Sequence, residues 1–159
     1  MQKIYENGKL PYIWDFSNLD ITYFEVPKTG SSSVKSVLFR LNYGLSSDDK
    51  IHLGGGRLLK NYPQSVVKTF HSDTFMNRLL LIYRDPISRI KSAYRGIFLH
   101  RQQMEGSLSS FFIDYFDDYL ESDPTNNVFT HYKPMSWFFP DEILNDSRLI
   151  FVKTEGLSE

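Results

Sequence analysis

Val26-Pro27-Lys28-Thr29-Gly30-Ser31-Ser32-Ser33 is the stretch that decides how this chain folds. It follows Ile21-Thr22-Tyr23-Phe24-Glu25-Val26, an apolar run that reads as a buried strand. It precedes Val34, Val37, Leu38 and Leu41, which recur at helical spacing. A strand that turns through small hydroxyl residues into a helix builds a cradle for an anion. Glycine and serine let the backbone approach a ligand closely. The free N–H groups of the first helical turn point at that ligand, and the helix dipole adds a positive partial charge. Three hydroxyls and Lys28 supply further donors, so a phosphate-like or sulfate-like group is expected here. The plainer alternative is a strand, a turn and a serine-capped helix. The nucleoside triphosphate loop, G-x-x-x-x-G-K-[ST], does not fit. Here the lysine comes before the glycine, and no Gly-Lys-Ser/Thr follows.

A second segment has the same logic. Arg78-Leu79-Leu80-Leu81-Ile82-Tyr83-Arg84 is a short apolar run ending in arginine and reads as a central parallel strand. Asp85 can cap the helix that follows, and Pro86 suits its first position. Ile87, Ile90, Tyr94 and Ile97 give that helix an apolar stripe. Asp85 and Arg89 stand four residues apart, which predicts an ion pair across one turn. Arg84 leaves the carboxyl end of its strand, where open α/β sheets bind ligands, and its planar fork suits bidentate phosphate binding. Ser92, two turns into the helix, is placed to donate a second hydrogen bond to that phosphate. Taken alone, Arg84 and Ser92 read more simply as a surface salt bridge and a solvated helical serine.

Together the two segments resemble the sulfotransferases that use 3′-phosphoadenosine 5′-phosphosulfate (PAPS). Pro27-Lys28-Thr29-Gly30-Ser31-Ser32-Ser33 resembles that superfamily's 5′-phosphosulfate loop. Arg84-Asp85-Pro86-Ile87-Ser88-Arg89-Ile90-Lys91-Ser92-Ala93-Tyr94 resembles its 3′-phosphate motif, R-D-P-x-x-R-x-x-S-x-Y. The style is closest to the carbohydrate (Golgi-type) branch. Two weaker echoes point the same way. Thr130-His131-Tyr132-Lys133-Pro134-Met135 is similar to a His-x-x-Pro-Gln segment, with Met135 where glutamine is usual. Phe151-Val152-Lys153-Thr154-Glu155-Gly156-Leu157 is similar to the strand and Glu-x-Leu segment that follows it.

The resemblance implies an α/β, three-layer, P-loop-like fold with a central, mostly parallel sheet flanked by helices. It implies transfer of a sulfuryl group from PAPS to a hydroxyl or amine of an acceptor, a carbohydrate in this branch, with adenosine 3′,5′-bisphosphate as product and no metal. Lys28 would neutralise the bridging oxygen as the S–O bond breaks. Thr29, Gly30, Ser31, Ser32 and Ser33 would hold the 5′-phosphate and sulfuryl oxygens, and Arg84 and Ser92 the 3′-phosphate. An acceptor hydroxyl also needs a base, and histidine titrates near neutral pH. His71 is the first candidate, because Lys68-Thr69-Phe70-His71 is similar to a Lys-x-x-His segment that precedes the R-D-P strand in heparan-type relatives. His131 is the runner-up. His52 falls in a loop, and His100 reads as a charge at the end of a helix. Two other function classes stay open on the residues alone. One is a kinase or nucleotidase of similar architecture; the other is a non-catalytic nucleotide-binding domain.

Length and composition set the bounds. A chain of 159 residues suits a single domain over 1–159, and the stop at Glu159 raises the expectation of C-terminal truncation. A 41% hydrophobic share is enough for a packed core and argues against disorder. The net charge of −1, from 18 basic and 19 acidic residues, argues against general nucleic-acid binding. No cysteine is present, which removes disulfides and thiolate metal sites and makes a reducing compartment natural. There is no apolar run of signal-peptide or membrane-spanning length. The expectation is a soluble cytoplasmic enzyme of bacterial or viral type, ahead of a lumenal fragment of a Golgi enzyme.

The remaining segments read simply. Residues 1–20 are expected as a leader onto the first strand, and 42–65 as a long polar loop containing Gly54-Gly55-Gly56. Val66 to Phe70 and Arg148 to Val152 are predicted strands. Leu108, Phe111, Phe112, Tyr115, Phe116 and Tyr119 predict an amphipathic helix, and residues 121–147 an irregular stretch.

Overall fold

The structure is a computed structural model and describes residues 13–45, 66–67, 77–99, 107–110, 131, 133–139 and 141–156. Its strands are β1 (Ile13–Phe16), β2 (Ile21–Phe24), β3 (Val66–Val67), β4 (Arg78–Tyr83) and β5 (Leu149–Lys153). Its α-helices are α1 (Ser31–Tyr43) and α2 (Pro86–Ala93), the latter continuing as a π-helical turn over Tyr94–Leu99. The sheet runs β3-β1-β2-β4-β5. β2, β4 and β5 are parallel neighbours, while β1 is antiparallel to both β2 and β3. β3 therefore runs in the same sense as β2, and β1 alone is reversed. This is the α/β architecture expected, with a mostly parallel sheet flanked by helices.

β1 departs from the expected leader. It is short, and Asp15 interrupts its apolar run, so the sequence shows little of the period-two pattern. It is made by pairing: Ile13 to Phe16 align with Phe24 to Ile21 across the hairpin, and Asp15 accepts a hydrogen bond from Asn77 at 2.6 Å.

Period-two alternation divides the core between the two faces of the sheet. One face carries Trp14, Phe16, Tyr23 and Ile82 against Leu38 and Phe39 of α1. The other carries Ile13, Phe24, Leu79 and Leu81 against Phe138, Phe139 and Ile143. Burial on both faces explains why β4 reads as an unbroken apolar run. α1 is rotated from the stripe predicted. Its buried residues are Lys35, Leu38, Phe39 and Asn42, while Val37 and Leu41 are 56% and 62% exposed. Phe39 sets this rotation: its ring meets Trp14 at 5.6 Å and Phe16 at 5.3 Å, both edge-on. The partner strand that selects this face was the element least visible in the sequence.

Of the other predicted elements, β3 ends its described part at Val67, and 68–70 lie outside the described residues. Residues 108–110 are helical, and the rest of that aromatic stripe lies outside them too. The 121–147 region contributes 3-10 turns at Met135–Trp137 and Asp141–Asn145. Among the described residues no helix is long and apolar enough to cross a membrane.

Candidate functional site

Three parallel strands, β2, β4 and β5, end at the same edge of the sheet, where the Val26–Gly30 turn, Arg84 and Thr154 meet. β2 delivers the chain into the Val26–Gly30 turn and then α1. Gly30 is the N-cap of α1 at φ +80, and no side chain caps the helix. The serines therefore occupy the first turn rather than the cap, which sets aside the serine-capped alternative. Ser32 and Ser33 are exposed and Ser31 is half-buried. The N–H groups of this first turn have no intrahelical acceptor; the first helical bond runs from Val34 N–H to Gly30 O at 3.1 Å. An uncapped helix N-terminus lined by serine hydroxyls is a ready anion site.

Lys28 adopts φ +67, a left-handed conformation uncommon for a residue with a side chain. The surroundings hold it there. Its carbonyl accepts a hydrogen bond from Arg84 Nη1 at 3.3 Å. Thr29 next to it is buried, and its hydroxyl donates to Val26 O at 2.8 Å. What Thr29 can offer a ligand is therefore its backbone N–H. Glu25 lies just before the turn and is neutralised from behind: Lys35 Nζ and Trp14 Nε1 each donate to its carboxylate at 2.7 Å. That keeps a negative charge from opposing an anion in the loop.

Arg84 leaves β4 beside this loop. Its Nε lies 4.0 Å from Glu155 Oε1, and it is only partly exposed. Asp85 caps α2 by accepting from Ser88 N–H at 2.8 Å, with Pro86 in the first turn, as predicted. That hydrogen bond, helped by Lys153, holds the Asp85 carboxyl below the usual carboxylate range. Ser92 sits half-buried near the end of α2. Thr154, just past β5, closes the edge: its hydroxyl lies 3.0 Å from Thr29 O and 2.9 Å from Tyr83 O, and so ties the loop to the end of β4.

The predicted Asp85–Arg89 pair is replaced by something else. Arg89 is only 3% exposed. Its Nε donates to Pro27 O at 2.8 Å and its Nη1 to Lys133 O at 2.7 Å, and it stacks over Phe138 at 5.5 Å. Nη2 is buried with no hydrogen-bond partner among the described residues. Burial pulls the Arg89 pKa down to about 10, so it is still a cation at neutral pH. Arg89 thus joins the start of the Val26–Gly30 turn to Lys133. Helical spacing could not show this, because both acceptors are backbone carbonyls far away in sequence.

Of the two candidate bases, His71 lies outside the described residues. β3, which leads towards it, runs in the sense of β2, with Val67 and Phe24 both level with Ile13 of β1. His131 is half-buried and stands two residues before Lys133, whose carbonyl accepts from Arg89. Thr154 and Glu155 carried no role in the sequence reading; the available signal was their place at the carboxyl end of a third parallel strand. Among the described residues no group of histidine, aspartate and glutamate is placed to hold a metal ion.

Comparison with curated proteins and with solved structures returns no significant match. A family model described as the sulfotransferase family matches residues 12–155. That range contains every described strand and α-helix, the uncapped serine turn and the strand-end arginine. With the family model matched over nearly its whole length, the chain belongs to the sulfotransferase family.

Proposed function

We propose that this chain, as a single domain, transfers a sulfuryl group from PAPS to a hydroxyl or amine of an acceptor, a carbohydrate by the branch its motifs resemble. One observation carries the reading. The uncapped, serine-lined start of α1 and the strand-end Arg84 lie on adjacent parallel strands and touch directly, through Arg84 Nη1 and Lys28 O. Two anion-binding elements side by side suit a ligand with a phosphate at each end of one nucleoside.

The residues fit such a ligand. Backbone N–H groups from Thr29 to Ser33, with the hydroxyls of Ser31, Ser32 and Ser33, would hold the 5′ side, and Arg84 and Ser92 the 3′-phosphate. Glu155 lies against Arg84 and has to yield to that phosphate. In the reaction the acceptor oxygen bonds to sulfur as the bridging S–O bond breaks, and the electron pair leaves on the bisphosphate. Lys28 neutralises that departing oxygen. The acceptor's proton passes to a base, His71 or, failing it, His131. As in phosphoryl transfer, the protein's work is positioning and charge stabilisation. With no cysteine to protect, we place the reaction in the cytoplasm.

The test begins with binding. At about 100 times its dissociation constant, a ligand specific for the native state adds about 2.7 kcal/mol. Adenosine 3′,5′-bisphosphate should then raise the melting temperature by about 5–10 °C for a domain of this size. AMP lacks the 3′-phosphate and should raise it much less. Labelled sulfate transfer from PAPS to a glycan panel follows. Equal shifts from the two nucleotides would contradict the role of Arg84 and Ser92, and bisphosphate binding with no transfer to any acceptor would favour the non-catalytic alternative.

The base has its own prediction. His71→Ala should slow transfer by about 10²- to 10⁴-fold and leave bisphosphate affinity nearly unchanged, because a base touches the acceptor and not the nucleotide. In the unsubstituted protein the rate should fall as pH drops through the titration of the base. Unchanged turnover in His71→Ala together with loss in His131→Ala would move the role to His131.

A further inference from the structure

α2 does not end at Ala93 but runs on as a π-helical turn over Tyr94–Leu99, a form that is rare and frequent at functional sites. Gly96 stands within this turn and faces the anion loop. A β-carbon added to Gly96 would lie 2.5 Å from Lys28 Nζ and 3.8 Å from Lys28 Cε, and the first of these distances is too short for any side chain. Glycine in a helix is ordinarily worse than alanine by about 1 kcal/mol. Gly96 also lacks the positive φ that would make glycine obligatory. What its missing side chain leaves room for is the ammonium of Lys28. The root of that lysine is fixed as well, by its left-handed backbone and by the Arg84 contact to its carbonyl.

We propose that Gly96 is a positioning residue for sulfuryl transfer: its bare backbone forms the seat of the Lys28 ammonium and sets where that charge stands relative to the bond that breaks. The inference rests on Lys28 being the cation of the donor site. A side chain at position 96 meets only the far end of a flexible side chain, so the fold survives and the lysine moves. A misplacement of about 1 Å can cost about 10²-fold in rate.

The test compares Gly96→Ala, Lys28→Ala and the double variant. Three quantities are read: the melting temperature without ligand, the affinity for adenosine 3′,5′-bisphosphate by calorimetry, and the NMR resonance of ¹³C-methylated Lys28, identified by its absence from Lys28→Ala. Gly96→Ala should melt at or slightly above the unsubstituted protein, as alanine is the better helix former. Its Lys28 resonance should shift, and its bisphosphate affinity should drop by about tenfold, as for a displaced charge-assisted contact. Lys28→Ala should lose a similar factor, and the double variant should bind no more weakly than Lys28→Ala alone. An unshifted Lys28 resonance, an unchanged affinity in Gly96→Ala, or a further loss in the double variant would overturn the seat while leaving the donor-site reading intact. If Lys28→Ala itself binds the bisphosphate like the unsubstituted protein, the donor-site reading fails and the seat with it.

Discussion

Replacing Lys28 by alanine is expected to slow sulfuryl transfer by about 10²- to 10³-fold, the loss typical when a preorganised donor to developing negative charge is removed. Binding should suffer far less, because the serine turn and Arg84 remain. The backbone of Lys28 supplies a control. At φ +67 any side chain is strained, by an amount on the order of 1 kcal/mol or more. Lys28→Gly should therefore be more stable than Lys28→Ala and equally slow. A pair of variants that differ in melting temperature but share one rate would separate the ammonium's chemistry from the loop's conformation. If either variant kept the full rate, the leaving-group role would pass to another residue.

The largest effect on stability is expected at Arg89. Arg89→Met removes the charge but leaves Pro27 O and Lys133 O without the donor they now have. Leaving two buried acceptors without a donor costs about 1–3 kcal/mol each, and at 2–4 °C for each kcal/mol that lowers the melting temperature by about 10 °C. Arg89→Lys keeps a cation but lacks the planar fork that spans both carbonyls, and it should recover only part of the loss. A melting temperature for Arg89→Met within a degree or two of the unsubstituted protein would show that the bridge between the loop and Lys133 contributes little.

The motifs were legible where structure depends on local order. A strand, a turn and a helix that follow one another directly carry their own local signals, so the structure of Val26–Ser33 and Arg84–Ser92 could be read directly, and with it β2, β4 and the parallel core. Asp85 and Pro86 gave the start of α2 for the same reason. What the sequence hid depends on distant partners. β1 is four residues long and exists through its pairing with β2 and β3. α1 turns Phe39 inward because β1 offers Trp14 and Phe16, so a stripe read from aliphatic residues alone came out rotated. Arg89 looked like the partner of Asp85 at helical spacing, and backbone carbonyls of two other segments claimed it instead. Thr154 joins Thr29 to Tyr83 from 125 residues away along the chain. Gly96 is just one glycine among nine in the sequence until Lys28 Nζ is found beside it.

The central claim is that the α1 turn and Arg84 grip opposite ends of one donor. Calorimetric titration of the unsubstituted protein and of Arg84→Ala, each with adenosine 3′,5′-bisphosphate and with AMP, tests it most directly. The unsubstituted protein should prefer the bisphosphate by at least about tenfold, the worth of a charge-assisted arginine–phosphate contact. Arg84→Ala should lose that preference and bind the two nucleotides nearly alike. If Arg84→Ala kept the full preference, Arg84 would not be the 3′-phosphate ligand, and the pairing of the two cradles around one nucleotide would be contradicted.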